Sequence, residues 1–351
     1  MSDHPKEFRR ERSAVELAQR IPILSTCTYM ISNSLGAMPR AVYNTLHEFA
    51  DTWATLGVSA WGKPYGSNPT WWEVKGAVGD KIAPLMGAPA GSVLVHENAS
   101  IANGILMSAL DWSDTRRSKI VVSDMDFPSD VYSIQRMLPP HISVQVIRTR
   151  DGITLPIDGS LDAIDEETRL VSLSHVLFRS ATSCQRPRSS PKAHAVGAQV
   201  LLNGYHSVGI IPVDVTAMNV DYYIGGTLKW MCGGPGGVFL YVRPDLLTTL
   251  QPKITGWFAH KNPFAFDIDH FELARRLLPP RQRHAGDRRA VRDPARCGRD
   301  HAGWRRGHPR QVAAPDSTAV RSRGRRRIRN AHAAHRGRPR RHGDGQSAAR
   351  V

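Results

Sequence analysis

The chain has 351 residues, enough for two ordinary domains, and its 41% hydrophobic and 22% charged residues rule out global disorder. No apolar run is long enough for a transmembrane helix, and four cysteines (Cys27, Cys184, Cys232, Cys297) without metal-ligand spacing argue against a zinc site or a disulfide scaffold and for a reducing, cytoplasmic compartment. The formal net charge of +16 sits entirely in residues 281–351, where 21 Arg and no Lys face 5 Asp and no Glu; the first 280 residues balance 26 basic against 26 acidic side chains.

In chain order, residues 1–50 read as an N-terminal segment whose first twenty residues are charged and helical in pattern, without the apolar centre of a secretory signal. Residues 51–275 read as one large domain and 276–351 as an Arg-rich tail. Within the domain, short β-branched apolar runs at 92–96, 119–123, 144–149, 170–176, 199–202, 222–224 and 238–242 predict strands. Residues 100–110 and 130–137 predict helices between them. Such alternation predicts an α/β architecture around a mostly parallel sheet. Ligands of such sheets lie beyond the carboxyl ends of the strands, so the residues just after each run become the candidates. Residues 182–191 (TSCQRPRSSP) interrupt the pattern, either as a polar loop or as a short slip of reading frame.

The segment GGTLKWMCGGPGG, residues 225–237, brackets Lys229 with glycine pairs at the end of an apolar run. Glycine lets backbone approach a ligand closely. A lysine in a partly dry site has a lowered pKa and can form a Schiff base with a carbonyl cofactor. Upstream, VLLNGYHS (residues 200–207) is a buried-type strand ending in Asn203, with His206 three residues on.

Together these two segments resemble the core of pyridoxal-phosphate enzymes of the aspartate-aminotransferase fold, in the class V branch, and kynureninases above all. Other segments agree in order: Asn33 to Pro39 resembles the lead-in to the large domain, and Glu97-Asn98-Ala99-Ser100 the phosphate-binding turn. Asp126-Phe127-Pro128-Ser129-Asp130 resembles a Phe-Pro-Ser-Asp signature whose ring stacks on the pyridine. Ser174-His175-Val176 matches the strand end under the cofactor, and Gly256-Trp257-Phe258-Ala259-His260 a segment whose Trp contacts phosphate.

The resemblance implies a fold type I large domain, a homodimer, a small amino-acid substrate, and pyridoxal 5′-phosphate on Lys229, the catalytic base. The remaining cofactor contacts it implies are Ala99, Ser100, Phe127, Ser129 and Asp130 in the first half, and Ser174, Asn203, His206 and Trp257 in the second. No metal is implied. Trp71 and Trp72 read as core or dimer contacts.

Three departures bear on activity. The family carries Asp where this chain has Asn203, and a neutral amide cannot supply the charge that keeps a ring nitrogen protonated. Kynureninases carry Tyr immediately before the lysine, where this chain has Leu228, which leaves room for a class V aminotransferase or a cysteine-desulfurase-like lyase. The C-terminal small domain, which normally supplies the arginine for the substrate carboxylate, is expected to be missing or disordered, its place taken by the Arg-rich tail. Residues 281–351 lack Leu, Phe, Tyr and Met, so they cannot bury enough apolar area to offset the entropy of ordering. The tail reads either as an arm that binds nucleic acid non-specifically, which would make the chain a non-enzymatic basic protein, or as a GC-rich coding sequence read out of frame.

Overall fold

The computed structural model describes residues 14–156, 161–183 and 189–274. The expectations for the Arg-rich tail, for the small domain and for the middle of the 182–191 stretch lie outside them.

Among the described residues, seven strands form one sheet: β1 (Val93–His96), β2 (Lys119–Ser123), β3 (Ser143–Ile147), β4 (Thr168–Ser174), β5 (Gln199–Asn203), β6 (Tyr222–Gly226) and β7 (Val238–Val242). Their order is β1-β7-β6-β5-β4-β2-β3. Only β7 runs against its neighbours, pairing antiparallel with β1 and with β6, while the other pairings are parallel. All seven sequence-predicted strands form, each within two residues of its expected bounds. The central strands β2, β6 and β7 are buried at every position, which is why they read as unbroken apolar runs rather than alternating ones.

Helices cover both faces. Described helices are α1 (Ala14–Arg20), α2 (Ala41–Leu56), α3 (Val74–Ile82), α4 (Ala99–Ala109), α5 (Pro128–Met137) and α6 (Ser189–Ala195). Leu106 and Met107 of α4 and Ile134 of α5 pack with Ile120, Leu201, Tyr222 and Leu240 on one face. Ile82 of α3 and Ala193 of α6 pack with Val121, Val200, Tyr223 and Phe239 on the other. Successive strand residues thus feed opposite cores, as the two-residue period requires. Burying each of these large side chains stabilises the fold by roughly 1.5–3 kcal/mol. The boundary expected at residue 50 falls inside α2, which runs unbroken across it.

This topology places the carboxyl ends of β1, β2, β4, β5 and β6 along one edge of the sheet. The segments that follow them carry nearly all the chemistry read from the sequence.

Candidate active site

Lys229 sits in the turn after β6. Its Nζ lies 2.6 Å from His206 Nε2, 5.6 Å from the centre of the Phe127 ring and 5.5 Å from that of Tyr205. The loop is tied down by backbone bonds from Thr227 N–H to Gly237 O, from Gly233 N–H to Thr227 O and from Cys232 N–H to Lys229 O. The lead-in segment docks here as well: Gly36 N–H donates to Leu228 O at 2.7 Å. A Cβ on Gly36 would come within 2.0 Å of Lys229 O, so only glycine fits.

The glycine bracket has a different cause from the one expected. Gly225 lies under the Phe239 ring, Gly226 under Tyr205, and Gly233 and Gly237 against the Thr227 side chain, each too close for a Cβ. These glycines admit the protein's own side chains. Only Gly234 and Gly236, both with positive φ, face open space or a distant carbonyl.

Beneath the lysine lies a buried polar floor. Asp126 joins two strand ends, accepting from Ser123 N–H and from Ser174 N–H at 2.7 Å each. Asp130, in the first turn of α5, accepts from the Nδ2 amides of Asn103 and Asn203. Asn203 Oδ1 in turn accepts from Tyr205 N–H at 2.9 Å. Burial raises both carboxyl pKa values; for Asp130 the neighbouring Asp126 charge adds to burial and the value reaches about 6. Burial lowers the Lys229 pKa, partly opposed by Asp130. Burial, then the Lys229 charge, brings His206 to about 4, so its ring is neutral at pH 7.

At the neighbouring strand end, α4 begins directly after β1. Asn98 caps it, its side chain accepting from Ile101 N–H at 2.9 Å. Ala99 and Ser100 occupy the first turn, where N–H groups lack intrahelical partners and suit an anion. The structure therefore sets Lys229 against His206 and near the Phe127 ring, joins Asn203 to Asp130, whose charge acts on Lys229, and bonds Ser174 to Asp126 of the same floor. Ala99 and Ser100 stand at the adjacent helix start, and Ser129 is exposed in the α5 turn. Trp257 is not brought in: its Nε1–H donates to Pro263 O, and its ring meets Phe258, Phe264 and Phe266. Asn103, Asp126 and Tyr205 were missed as site residues. Asn103 reads in sequence as one more residue of an apolar helix, and only the fold sets it opposite Asp130.

A lysine after a parallel strand, over a buried carboxylate and beside a helix start, defines a fold type I pyridoxal-phosphate large domain. The Aminotransferase class-V family model matches residues 28–265, and the chain belongs to that family; its cofactor is pyridoxal 5′-phosphate. It is similar to the kynureninase of Geobacillus thermodenitrificans (strain NG80-2), 32% identical over 248 residues, covering 69% of this chain and 57% of that protein. The kynureninase of Bacillus thuringiensis subsp. konkukian (strain 97-27) is 30% identical over 249 residues, with the same coverage. The chain thus spans little more than half the length of these curated relatives. Among solved structures, the apo cysteine desulfurase from Thermococcus onnurineus NA1 aligns with a TM-score of 0.64 at 20% identity, over 79% of this chain and 67% of that one. A C-DES mutant with glycine covalently linked to its cofactor aligns with a TM-score of 0.58 at 19% identity, over 74% and 68%; both likenesses concern the fold. Among the described residues no helix is long and apolar enough to cross a membrane, and no cluster of His, Cys, Asp or Glu could hold a metal ion.

The residues present fit the cofactor. A desolvated amine, an aromatic face beside it, a buried carboxylate and a helix start occupy one sheet edge, and the orphaned amide oxygen Asn103 Oδ1 lies in the same buried floor.

Proposed function

We propose that this chain is a pyridoxal-phosphate enzyme acting on a small amino acid, with kynureninase-like hydrolytic cleavage of a β–γ carbon bond as its reaction. One observation carries the reading: Lys229 Nζ held 2.6 Å from a neutral imidazole at the carboxyl edge of the sheet. The kynureninases among the relatives support the choice of reaction. When bound, the cofactor supplies an electron sink for the bond broken next to the substrate amine.

The rest is the work of this chain's side chains. Burial favours the neutral amine of Lys229, the form that attacks a carbonyl carbon and later moves a proton at Nζ. His206 stays unprotonated, so its Nε2 can accept a hydrogen from the Lys229 amino group and fix where it points. Asn203 spends its Nδ2 on Asp130 and its Oδ1 on Tyr205 N–H. The negative charge expected at position 203 is therefore supplied by Asp130, which would keep a pyridine nitrogen protonated. Ala99 and Ser100 would hold phosphate, Phe127 would cover the ring, and Ser129 and Ser174 complete the proposed contacts. We expect a homodimer, in keeping with the large exposed rings of Tyr43, Phe49 and Trp53 on α2.

Leu228 favours a second reading, a class V aminotransferase or cysteine-desulfurase-like lyase, because it puts an alkyl group where kynureninases carry a phenol. Borohydride reduction of protein loaded with pyridoxal phosphate, followed by peptide mass mapping, tests the common part. The adduct is expected on Lys229 and absent from Lys229→Ala; well-folded protein with no adduct there overturns the proposal. Alanine released from a kynurenine-type substrate then separates hydrolysis from amino transfer to a keto acid.

A further inference from the structure

We infer that Tyr223 is a positioning residue whose hydroxyl, clamped between His175 and Ser207 inside the protein, sets the turn that holds His206 against Lys229. The inference gains its importance from reading Lys229 as the reactive amine, but its geometry stands without any cofactor.

Tyr223 belongs to β6, and its side chain is fully buried. Its hydroxyl lies 2.8 Å from His175 Nδ1 and 2.6 Å from Ser207 Oγ, and Ser207 Oγ donates to Gly204 O at 3.1 Å. With the Ser207 hydrogen committed to Gly204, a single direction satisfies every group: His175 Nδ1–H donates to the Tyr223 oxygen, and the Tyr223 hydroxyl donates to Ser207. This donor chain starts at the end of β4, crosses β6 and ends on the turn after β5. Burial lowers the His175 pKa, and the ring donates from Nδ1 in the neutral tautomer that carries its hydrogen there.

The turn it reaches spans residues 203–207 and carries both Asn203 and His206. Its other anchors are His175 N–H to Asn203 O at 2.8 Å and Gly204 N–H to Ile224 O at 2.7 Å. Gly204 is shaped to the tyrosine: a Cβ there would lie 2.0 Å from Tyr223 Cε1 and 2.4 Å from its oxygen. His206 is the residue directly before Ser207, so the hydrogen bond at Ser207 fixes the backbone that aims the imidazole. Loss of the tyrosine oxygen leaves Ser207 Oγ buried without its donor and frees the turn to shift. The groups facing the Lys229 amine are His206, Asp130 and the rings of Phe127 and Tyr205. Of these, only His206 and Tyr205 ride on this turn.

The test uses the full chain without cofactor. Tyr223→Phe removes one oxygen and keeps the ring over Gly204. The readout is the pH midpoint for acylation of Lys229 by an amine-specific reagent, followed by peptide mass spectrometry. The midpoint is expected to fall by about one unit in Tyr223→Phe, because the ammonium loses its acceptor in a partly dry site. Ser207→Ala should move it in the same direction, and it is read alone if Tyr223→Phe does not fold. Tyr222→Phe, an equally buried change facing the opposite core, should leave the midpoint in place. An unmoved midpoint in a folded Tyr223→Phe, or an equal shift in Tyr222→Phe, overturns the inference. Failure of pyridoxal phosphate to modify Lys229 would sink the functional proposal yet leave this shift intact, so the two can fail separately.

Discussion

Two regions of the molecule solve the problem of placing large side chains in opposite ways. At the sheet edge, Asp126, Asp130, His175 and Ser207 are buried, and each is held by directional bonds to a strand end or a turn. On the face made by α2 and residues 257–266, rings rest on rings. Phe49 stacks on Trp71 at 5.4 Å, Trp72 meets Phe258 at 5.8 Å, and Trp257 stacks on Phe266 at 5.4 Å. Much of that aromatic surface stays in water, with Trp53 63% and Phe266 69% exposed. Hydrogen bonds fix geometry and are costly when half made, whereas ring contacts are adaptable and individually weak. The difference predicts that the sheet edge is rigid and intolerant of change, and that the aromatic face is forgiving.

The largest expected effect is in the sheet. Phe239 is fully buried and its ring fills the space above Gly225. Phe239→Ala should lower the unfolding free energy by about 3–5 kcal/mol, measured by urea denaturation. Gly204→Ala comes next. Overpacking against Tyr223 should cost about 1–3 kcal/mol. Combining it with Tyr223→Ala should give a loss smaller than the sum of the two, since the clash disappears with the ring; strict additivity would show that the contact does not limit position 204.

The site also predicts a pH signature. The His206 pKa is depressed from 6.5 to about 4 in the fold, so its contribution to stability is present above pH 6.5 and lost as pH falls toward 4. Asp130, raised from 3.8 to about 6, works oppositely: its contribution is present below 3.8 and lost as pH rises through 6. His206→Gln removes the first contribution alone. Between pH 7 and pH 4.5 the variant should therefore lose less stability than the parent, by about 1 kcal/mol after allowing for solvent screening. Equal losses would mean that the ring is not held neutral.

Much of this was legible in the sequence because buried strands announce themselves. Runs such as KIVVS and VFLYV carry their period and their ends locally, and the residues after them fell where α/β topology puts a site. The helix starts were nearly as clear, with α4 beginning at Ala99, one residue before its expected start, and Asn98 as its cap. What stayed hidden depended on partners far along the chain. Nothing around Asn203 says that Asp130, 73 residues earlier, takes its amide hydrogen. The glycine bracket was readable as a need for space, but not as space for Phe239, Tyr205 and Thr227. The segment boundary read at residue 50 falls within α2, a helix for which the sequence reading made no expectation.

The exposed side of α2 supplies the smallest prediction and the sharpest check on the comparison. Trp53 is 63% exposed and meets the Phe49 ring at 6.4 Å and 58°, a tilted contact with little overlap. If the face contributes only through such contacts, Trp53→Ala should change the unfolding free energy of the monomer by no more than about 1 kcal/mol. The same substitution at dilute and at high protein concentration tells whether another surface covers the ring. A cost that grows with concentration would mean that water is not the partner of this face, since burial in an assembly adds its own stabilisation by mass action. A flat, small cost at every concentration would leave the aromatic face as loosely held surface, set against a sheet edge where one methyl group on Gly204 is already too much.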